Sequence, residues 1–411
     1  MRVSFRFFWA FLPLLTGLAC YRTGHNALSA HLRITHFEPA LERGACIASL
    51  VATPSSSQNC MRYSRIEAAG PVTDPDSGWI FVGTSDSVFS AYSPQLRAFV
   101  ARVTLDGAQV AKPLLYKAAV LVGTTKGKVY AIDKVTLSVL WMLQLDSEVS
   151  SPMTQGSGLV YVVSGSSTVY AIDPDNGTIR WSKKRTLPDS VYLKPESKPL
   201  FFEVNELRFR KSVVVVGGVL GNVQVLDAAT GSFLRDVQVG DSKTPFADVV
   251  ADPVPYGDGV VAAAYNSGLV IFSPLSGLER WRFPLRGVTR LLISGDMLFA
   301  AAKGEIVALS LGRTRNAVRR VWSFAYSQGA VTRLLLHNDR LLFSSSKGGL
   351  VELDAKTGRP ISLVGSPLGY SVDGDLYGDR VVFLSLSGHL TVWASDSTPK
   401  AHRAKSGGFI D

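Results

Sequence analysis

Two stretches of the chain decide its fold, because they repeat one pattern: AVLVGTTKGKVYAID at residues 119–133 and LVYVVSGSSTVYAID at residues 159–173. Each has an apolar run, a short turn, and a second apolar run that ends at an aspartate. A tryptophan follows eight residues after each aspartate, at Trp141 and Trp181. Short runs of β-branched and aromatic residues between such turns predict paired β-strands.

The same unit recurs along the whole chain, with the aspartate that ends the second run as its anchor. The eight anchors are Ser93, Asp133, Asp173, Asp227, Ser273, Ser310, Asp354 and Ala394. Intervals of 37 to 54 residues that contain several short strands are typical of propeller blades, whereas helical solenoids of this period need a 3.6-residue periodicity that is missing here. The sequence therefore predicts an all-β protein, an eight-bladed β-propeller of four-stranded blades.

The domain boundaries follow from where the repeats begin and end. We predict the propeller over residues 61–395 and a polar tail over residues 396–411. Residues 20–60 are predicted to be an N-terminal anchor and linker. Within them, residues 31–37 alternate polar with mostly apolar side chains, which favours a strand that completes the last blade and closes the ring; an exposed linker is the alternative.

Residues 1–19 have the pattern of a secretory signal peptide. Arg2 and Arg6 provide the positive start, and an apolar run of 13 residues follows over 7–19. A membrane-spanning helix needs about 20 apolar residues, so this run is too short to be one. We therefore expect the chain to be exported.

The composition indicates a globular protein with a large core. Of the 411 residues, 46% are hydrophobic and 18% are charged, which excludes a disordered chain. The formal net charge of +10 favours acidic partners or anionic headgroups. Because the basic residues are spread along an exported chain, we expect no binding of nucleic acid.

No motif of catalysis, cofactor binding or metal binding stands out. The six histidines form no close metal-ligand motif. Residues 173–177 have only a superficial likeness to a calcium loop, because Gly177 stands where an oxygen ligand is needed, so a plain turn is favoured. Residues 217–221 are rich in glycine but are not followed by the Lys-Ser/Thr pair of a phosphate loop, and they are interpreted as a turn. A catalytic triad assembled from distant residues stays open.

The order of anchor, turn, glycine and tryptophan at residues 173–181 and 273–281 resembles the quinoprotein-type propeller repeat. Two classes of protein share this repeat: the pyrroloquinoline-quinone dehydrogenases and the BamB family, lipoproteins of the outer-membrane β-barrel assembly machinery. Such a quinone enzyme needs a catalytic Asp, a calcium shell and usually a vicinal disulfide, and this sequence has no Cys-Cys pair. The chain resembles the BamB family from the signal segment through all eight repeats.

This resemblance implies a scaffold that is not an enzyme, takes no cofactor and has no small-molecule substrate. The alternative is a quinone-dependent dehydrogenase-like or other ligand-binding periplasmic propeller. The best local likeness to BamB lies at residues 190–199 and 248–253, which match loops that contact the POTRA region of BamA in that family. The residues that the resemblance assigns to binding a BamA-like partner are Val191, Leu193, Lys194 and Asp248.

Two positions depart from the family pattern at these loops. Lys194 stands where the family typically has Arg, which weakens any bidentate pairing with a carboxylate. Val250 replaces a second acidic residue.

Repeat length points to the same loops. The two longest repeats end at Asp227 and Ser273, and insertions in propellers map to loops, which often carry binding. Two adjacent long loops are expected to form one continuous surface. The sequence places Phe201 and Phe202 within the first insertion; they either anchor an interface or pack onto their own blades, and we favour packing.

The small residues before Cys20 resemble the lipobox of bacterial lipoproteins, which implies lipidation of Cys20. Because Tyr21 is not Asp, the resemblance implies sorting to the periplasmic face of the outer membrane. Gly17 stands where the lipobox usually has Leu, and plain signal-peptidase cleavage is the alternative. Lipidation leaves Cys46 and Cys60 as an even pair in an oxidising compartment, either disulfide-bonded or present as buried or free thiols.

Overall fold

The computed structural model describes residues 69–186, 197–206, 209–312, 318–364, 369–377, 380–386 and 390–394. The regular structure of these residues is 31 β-strands in eight antiparallel sheets, which we number as blades 1 to 8 in chain order. Within these described residues, no helix is long and apolar enough to cross a membrane.

The strands of blades 1 to 4 are β1 (Val72–Thr73), β2 (Ile80–Gly83), β3 (Val88–Ser93), β4 (Ala98–Thr104), β5 (Leu114–Tyr116), β6 (Ala119–Gly123), β7 (Lys128–Asp133), β8 (Val139–Gln144), β9 (Thr154–Gly156), β10 (Leu159–Val163), β11 (Thr168–Ile172), β12 (Ile179–Lys184), β13 (Leu200–Glu206), β14 (Phe209–Gly217), β15 (Asn222–Asp227) and β16 (Phe233–Gln238). The strands of blades 5 to 8 are β17 (Val254–Tyr256), β18 (Gly259–Ala264), β19 (Gly268–Phe272), β20 (Glu279–Phe283), β21 (Arg290–Ser294), β22 (Met297–Ala302), β23 (Glu305–Ser310), β24 (Arg319–Ala325), β25 (Val331–His337), β26 (Arg340–Ser345), β27 (Gly349–Asp354), β28 (Pro360–Val364), β29 (Tyr370–Tyr377), β30 (Arg380–Ser385) and β31 (Leu390–Ala394).

Each blade is a simple meander in which every strand pairs with the next strand in the sequence. The first strands of neighbouring blades contact one another, as β21 contacts β25, so the first strands surround the axis. The prediction of an all-β propeller with four-stranded blades is confirmed. Seven blades have four strands, and the eighth sheet has three described strands, β29 to β31. The predicted ring-closing strand at 31–37 lies outside the described residues.

The anchors of the repeat mark the same place in every blade. The third strand ends at the anchor or one residue before it, as β7 does at Asp133 and β11 does at Ile172. The second and third strands are almost entirely buried; all six residues of β18 are, for example. Burial on both faces explains why these strands are continuous apolar runs in the sequence.

The core lies between the blades. Eight apolar clusters fill the spaces between consecutive blades, and one of them joins blade 8 to blade 1. In that last cluster, Ile80 and Val82 pack with Val382 and Leu384. Because removal of apolar surface from water stabilises a fold in proportion to the area, each blade depends on its two neighbours.

Repeated tryptophans fix one blade to the next at the outer rim. The indole N–H of Trp181 in blade 3 donates a hydrogen bond to the carbonyl of Ala228 in the turn of blade 4, at 3.0 Å. Gly231 of that turn lies against the ring, where a Cβ would be 2.5 Å from it. The equivalent bonds are Trp141 to Pro174 at 2.9 Å and Trp322 to Ala355 at 3.0 Å, with Gly177 and Gly358 against the rings.

Where the tryptophan is absent, the facing turn of the next blade makes a different contact. Blade 1 has Ala101 at this position, and blade 2 has Leu137 where other turns have glycine; Leu137 is buried among the apolar residues of blades 1 and 2. Blade 4 has Arg235, whose Nε donates to the carbonyl of Leu275 at 2.8 Å. Trp281 is buried, and its N–H has no partner among the described residues.

A carboxylate strengthens the seam at which the ring closes. Asp375 of blade 8 accepts a hydrogen bond from the backbone N–H of Thr73 in blade 1 at 2.6 Å. It also pairs with the ammonium group of Lys112 at 2.8 Å, and Lys112 precedes blade 2. Three blades are therefore joined by one side chain.

The tryptophan contact predicts a difference between two glycine substitutions. Gly231→Ala and Gly158→Ala both place a Cβ on a residue with positive φ, 70° and 75° respectively. At Gly158 the new Cβ meets nothing within 4 Å, whereas at Gly231 it collides with the Trp181 ring. We expect Gly231→Ala to reduce the free energy of unfolding by about 1–3 kcal/mol more than Gly158→Ala, measured by urea denaturation. Equal losses would contradict this role of the indole.

Candidate functional site

The candidate site is built around the turn between β14 and β15, residues 217–221, which we call the blade 4 turn. The N–H of Gly218 donates to the carbonyl of Asn222 at 2.8 Å, and the N–H of Asn222 donates to the carbonyl of Val219 at 3.1 Å. These bonds confirm the interpretation of this glycine-rich segment as a turn between strands. Leu220 in this turn has a positive φ of 54°.

The two insertions predicted from repeat length flank this turn. The first insertion comprises residues 185–199, of which 187–196 lie outside the described residues, and the second comprises residues 239–253. The N–H of Lys198, in the first insertion, donates a hydrogen bond to Asp252 Oδ1, in the second, at 2.7 Å. The two long loops therefore adjoin, as the spacing of the repeats predicts.

Three chain segments meet at Gly217. A Cβ on this residue would lie 2.5 Å from Ser197 Oγ in the first insertion and 2.8 Å from the carbonyl oxygen of Val249 in the second. Only glycine leaves room for both contacts. This close approach makes the blade 4 turn the point from which both insertions are positioned.

Arg185 holds the start of the first insertion. Its guanidinium donates to the carbonyl oxygen of Gly217 at 2.8 Å and to that of Ser167 at 3.3 Å. Burial lowers the pKa of Arg185 to about 10, and the carboxylate of Asp236 opposes this shift. The side chain therefore remains protonated at neutral pH and keeps its donors.

Asp248 lies at the centre of the site but beneath its surface. Its side chain is fully buried, and Oδ1 accepts a hydrogen bond from the N–H of Leu220 at 2.6 Å. Its carbonyl accepts from the N–H of Tyr265 in blade 5 at 2.9 Å. The family resemblance assigns Asp248 to partner binding; in this structure its carboxylate contacts the backbone of the blade 4 turn.

The second insertion is joined to blade 5 by hydrogen bonds. Asn266 Nδ2 donates to the carbonyl of Pro245 at 2.9 Å, and the N–H of Asp241 donates to Ser267 Oγ at 3.1 Å. Arg282 donates to the carbonyl of Val239. These hydrogen bonds could not be predicted from the sequence, because no local pattern marks Asn266 or Arg282 as a residue that holds a loop.

The other predicted site residues lie outside the described part of the chain. These are Cys20, Cys46, Cys60, Val191, Leu193 and Lys194. Phe201 and Phe202 are described. The Phe201 ring stacks on Tyr161 of the neighbouring blade 3 with 5.9 Å between centroids, and Phe202 packs against the core between blades 4 and 5. Both therefore pack within the propeller, as favoured, but against neighbouring blades as well as their own.

The described residues contain no group of three or more His, Cys, Asp or Glu side chains placed to hold a metal ion. At the segment with a superficial likeness to a calcium loop, the N–H of Gly177 donates to the carbonyl of Asp173 at 2.8 Å. Asp173 also pairs with Arg180 at 2.7 Å. This segment is a plain turn, as predicted.

Comparison with known proteins identifies relatives of one kind. The family model described as outer membrane protein assembly factor BamB matches residues 84–317. The factor of that name from Bordetella pertussis is 25% identical over 193 residues, 46% of this chain and 47% of its own length. The one from Moranella endobia is 20% identical over 278 residues, covering 66% and 68% respectively. The matches thus span about half to two thirds of these relatives.

Solved structures agree on the fold. BamB from Moraxella catarrhalis superposes with a TM-score of 0.68 at 19% identity, over 80% of this chain and 98% of that chain. Sqt1 from Saccharomyces cerevisiae superposes with a TM-score of 0.65 at 13% identity, over 81% and 97%. At such identities the likeness shows the propeller fold alone.

The burial of Asp248 predicts that it stabilises the site. Asp248→Ala leaves the N–H of Leu220 without its acceptor, so we expect a loss of about 1–3 kcal/mol in the free energy of unfolding, measured in urea. Asp76→Ala, which removes an exposed carboxylate from the turn between β1 and β2, is the control and should change stability by less than about 0.5 kcal/mol. Equal stability of the two variants would show that the buried hydrogen bond contributes nothing.

Proposed function

Because the chain belongs to the BamB family of outer membrane protein assembly factors, we propose that it is a scaffold of the outer-membrane β-barrel assembly machinery. The family model matches more than half of the chain. Members of this family are assembly factors, and the chain is not an enzyme. Its contribution to assembly is binding.

The proposed partner is a BamA-like barrel-assembly protein, bound through its POTRA region. The observation that carries this proposal is the hydrogen bond between Lys198 and Asp252, which joins the two long loops into one surface. A rigid propeller core supports these loops, and binding residues are often found on loops of rigid scaffolds. The second insertion is already hydrogen-bonded to blade 5 in the free chain, which reduces the entropy lost on association.

Both ends of the segment that contains Leu193 and Lys194 are fixed beside the blade 4 turn. Arg185 holds one end through the carbonyl of Gly217, and Lys198 holds the other through Asp252. We include Asp248 as a residue that positions this surface through Leu220.

The proposal predicts the effect of a double substitution at the first insertion. Leu193→Asp with Lys194→Glu replaces an apolar contact by a charge and reverses a second charge, so we expect the Kd for the BamA-like partner to rise about 10-fold or more. The measurement is a titration of the purified chains, supported by co-purification from membrane extracts. An unchanged Kd would reject this surface.

A matched control uses an exposed leucine and an exposed lysine at the other end of the strands. Leu278 is 69% exposed in the turn after β19, and Lys356 lies exposed in the turn after β27. Leu278→Asp with Lys356→Glu should leave the Kd unchanged. A similar rise of the Kd in this control would mean that added negative charge weakens binding wherever it is placed.

We also propose that the chain is anchored by a lipid on Cys20 at the periplasmic face of the outer membrane. The signal pattern of residues 1–19, followed by Cys20, supports this proposal, as does the outer-membrane role named for the relatives. Attachment at the membrane would hold the scaffold close to an integral partner and raise the effective concentration of each for the other.

The anchor predicts a mass difference at the mature N-terminus. The N-terminal peptide of the extracted wild-type chain should carry a lipid on Cys20, seen by mass spectrometry, and Cys20→Ser should abolish it because the thiol is the attachment atom. Cys46→Ser is the control and should retain the lipid. An unmodified wild-type N-terminus that begins after a plain signal-peptidase cleavage would exclude the anchor.

A further inference from the structure

Phe246 occupies an unusual position in the second insertion. It is 43% exposed, and its φ is 56°. Pro245 precedes it, and a proline followed by a residue of positive φ is typical of a type II turn, in which the second of these positions normally holds glycine. A bulky side chain is strained in this backbone conformation, so local structure alone does not favour phenylalanine here.

The strain at Phe246 is not offset in the way seen at Leu137. Both are apolar residues with positive φ, but Leu137 is only 3% exposed and lies in the core between blades 1 and 2. Its burial stabilises the fold and offsets the strain. Phe246 leaves nearly half of its surface in water, so the free chain gains less from its ring.

The neighbours of Phe246 hold its backbone in place. The carbonyl of Pro245 accepts a hydrogen bond from Asn266 at 2.9 Å, and the N–H of Thr244 donates to the carbonyl of Asp241 at 2.9 Å. Ala247 and Asp248 are fully buried immediately after it. Because Asp248 also accepts a hydrogen bond from Leu220, the backbone that carries Phe246 is joined to the blade 4 turn.

We propose that Phe246 is an anchor residue of the partner-binding surface and enters an apolar pocket on the partner. The inference rests on the proposed function and adds a contact that neither the repeat nor the family resemblance assigns. Aromatic side chains on a preorganised support dominate the energetics of many interfaces, and strained residues concentrate where binding requires them. In this proposal the exposed Lys243, three residues before Phe246, pairs with a carboxylate of the partner.

Substitutions at Phe246 separate the effect of its ring on binding from the effect of its backbone strain on stability. Phe246→Gly removes the ring and allows the positive φ without strain, so we expect the Kd for the BamA-like partner to rise about 10-fold or more while the thermal unfolding midpoint stays equal or rises. Phe246→Leu keeps an apolar side chain and should raise the Kd by less than Phe246→Gly does. Ser157→Gly, at a positive φ of 47° in a turn at the other end of the strands, is the control and should leave the Kd unchanged.

The outcomes distinguish this inference from the proposed function. If the wild-type full-length chain fails to bind the purified partner, the proposed function is wrong and the inference falls with it. If wild type binds and Phe246→Gly binds equally well, only the inference is overturned. Loss of flotation with phosphatidylglycerol vesicles at an unchanged partner Kd would assign the ring to a membrane surface, and a midpoint lowered by several degrees would assign it to packing; both results overturn the proposal.

Discussion

The contact between an indole in one blade and a turn in the next is the interaction on which the ring depends. A single four-stranded sheet has two apolar faces and cannot bury either of them alone, so its stability lies in its neighbours. Trp141, Trp181 and Trp322 each combine a buried ring with a satisfied N–H, and a glycine in the facing turn makes room for the ring. At Leu137 and Ala101 the sizes are exchanged, because the large side chain lies in the turn and the small one in the outer strand of the neighbouring blade. Complementary volume, more than any one residue type, keeps the blades in register.

Closure of the ring turns these pairwise contacts into a rigid support. Asp375 connects blade 8 to Thr73 and Lys112 at the point where the two ends of the propeller meet, and the apolar cluster beside it joins blade 8 to blade 1. Closure also removes the open face that any stack of sheets would leave. Loops on such a frame keep their relative positions, and this lets segments far apart in the sequence act as one surface.

The proposed binding surface uses half-buried polar contacts where the rest of the propeller uses apolar packing. Lys198 with Asp252, Asp248 with Leu220 and Arg185 with Gly217 all lie where the two longest insertions meet. Each bond satisfies a group that would be costly to bury unpaired. Together they hold Arg185, Lys198 and the second insertion at the blade 4 turn, and Phe246 of that insertion stays partly exposed. The free chain thus tolerates local strain at the place where we propose that it binds.

The sequence by itself determined the propeller, the four-stranded blade and the ends of the third strands, because each follows from a local pattern that recurs. It also located the two insertions, since an insertion changes the spacing between repeats. Only the tertiary structure decided that Asp248 is buried, that Lys198 bonds to Asp252 across 54 residues, and that Thr73 bonds to Asp375 across 302. It also decided the backbone of Phe246. Contacts between distant residues arise from how the blades close in space, and no local period of residues carries that information.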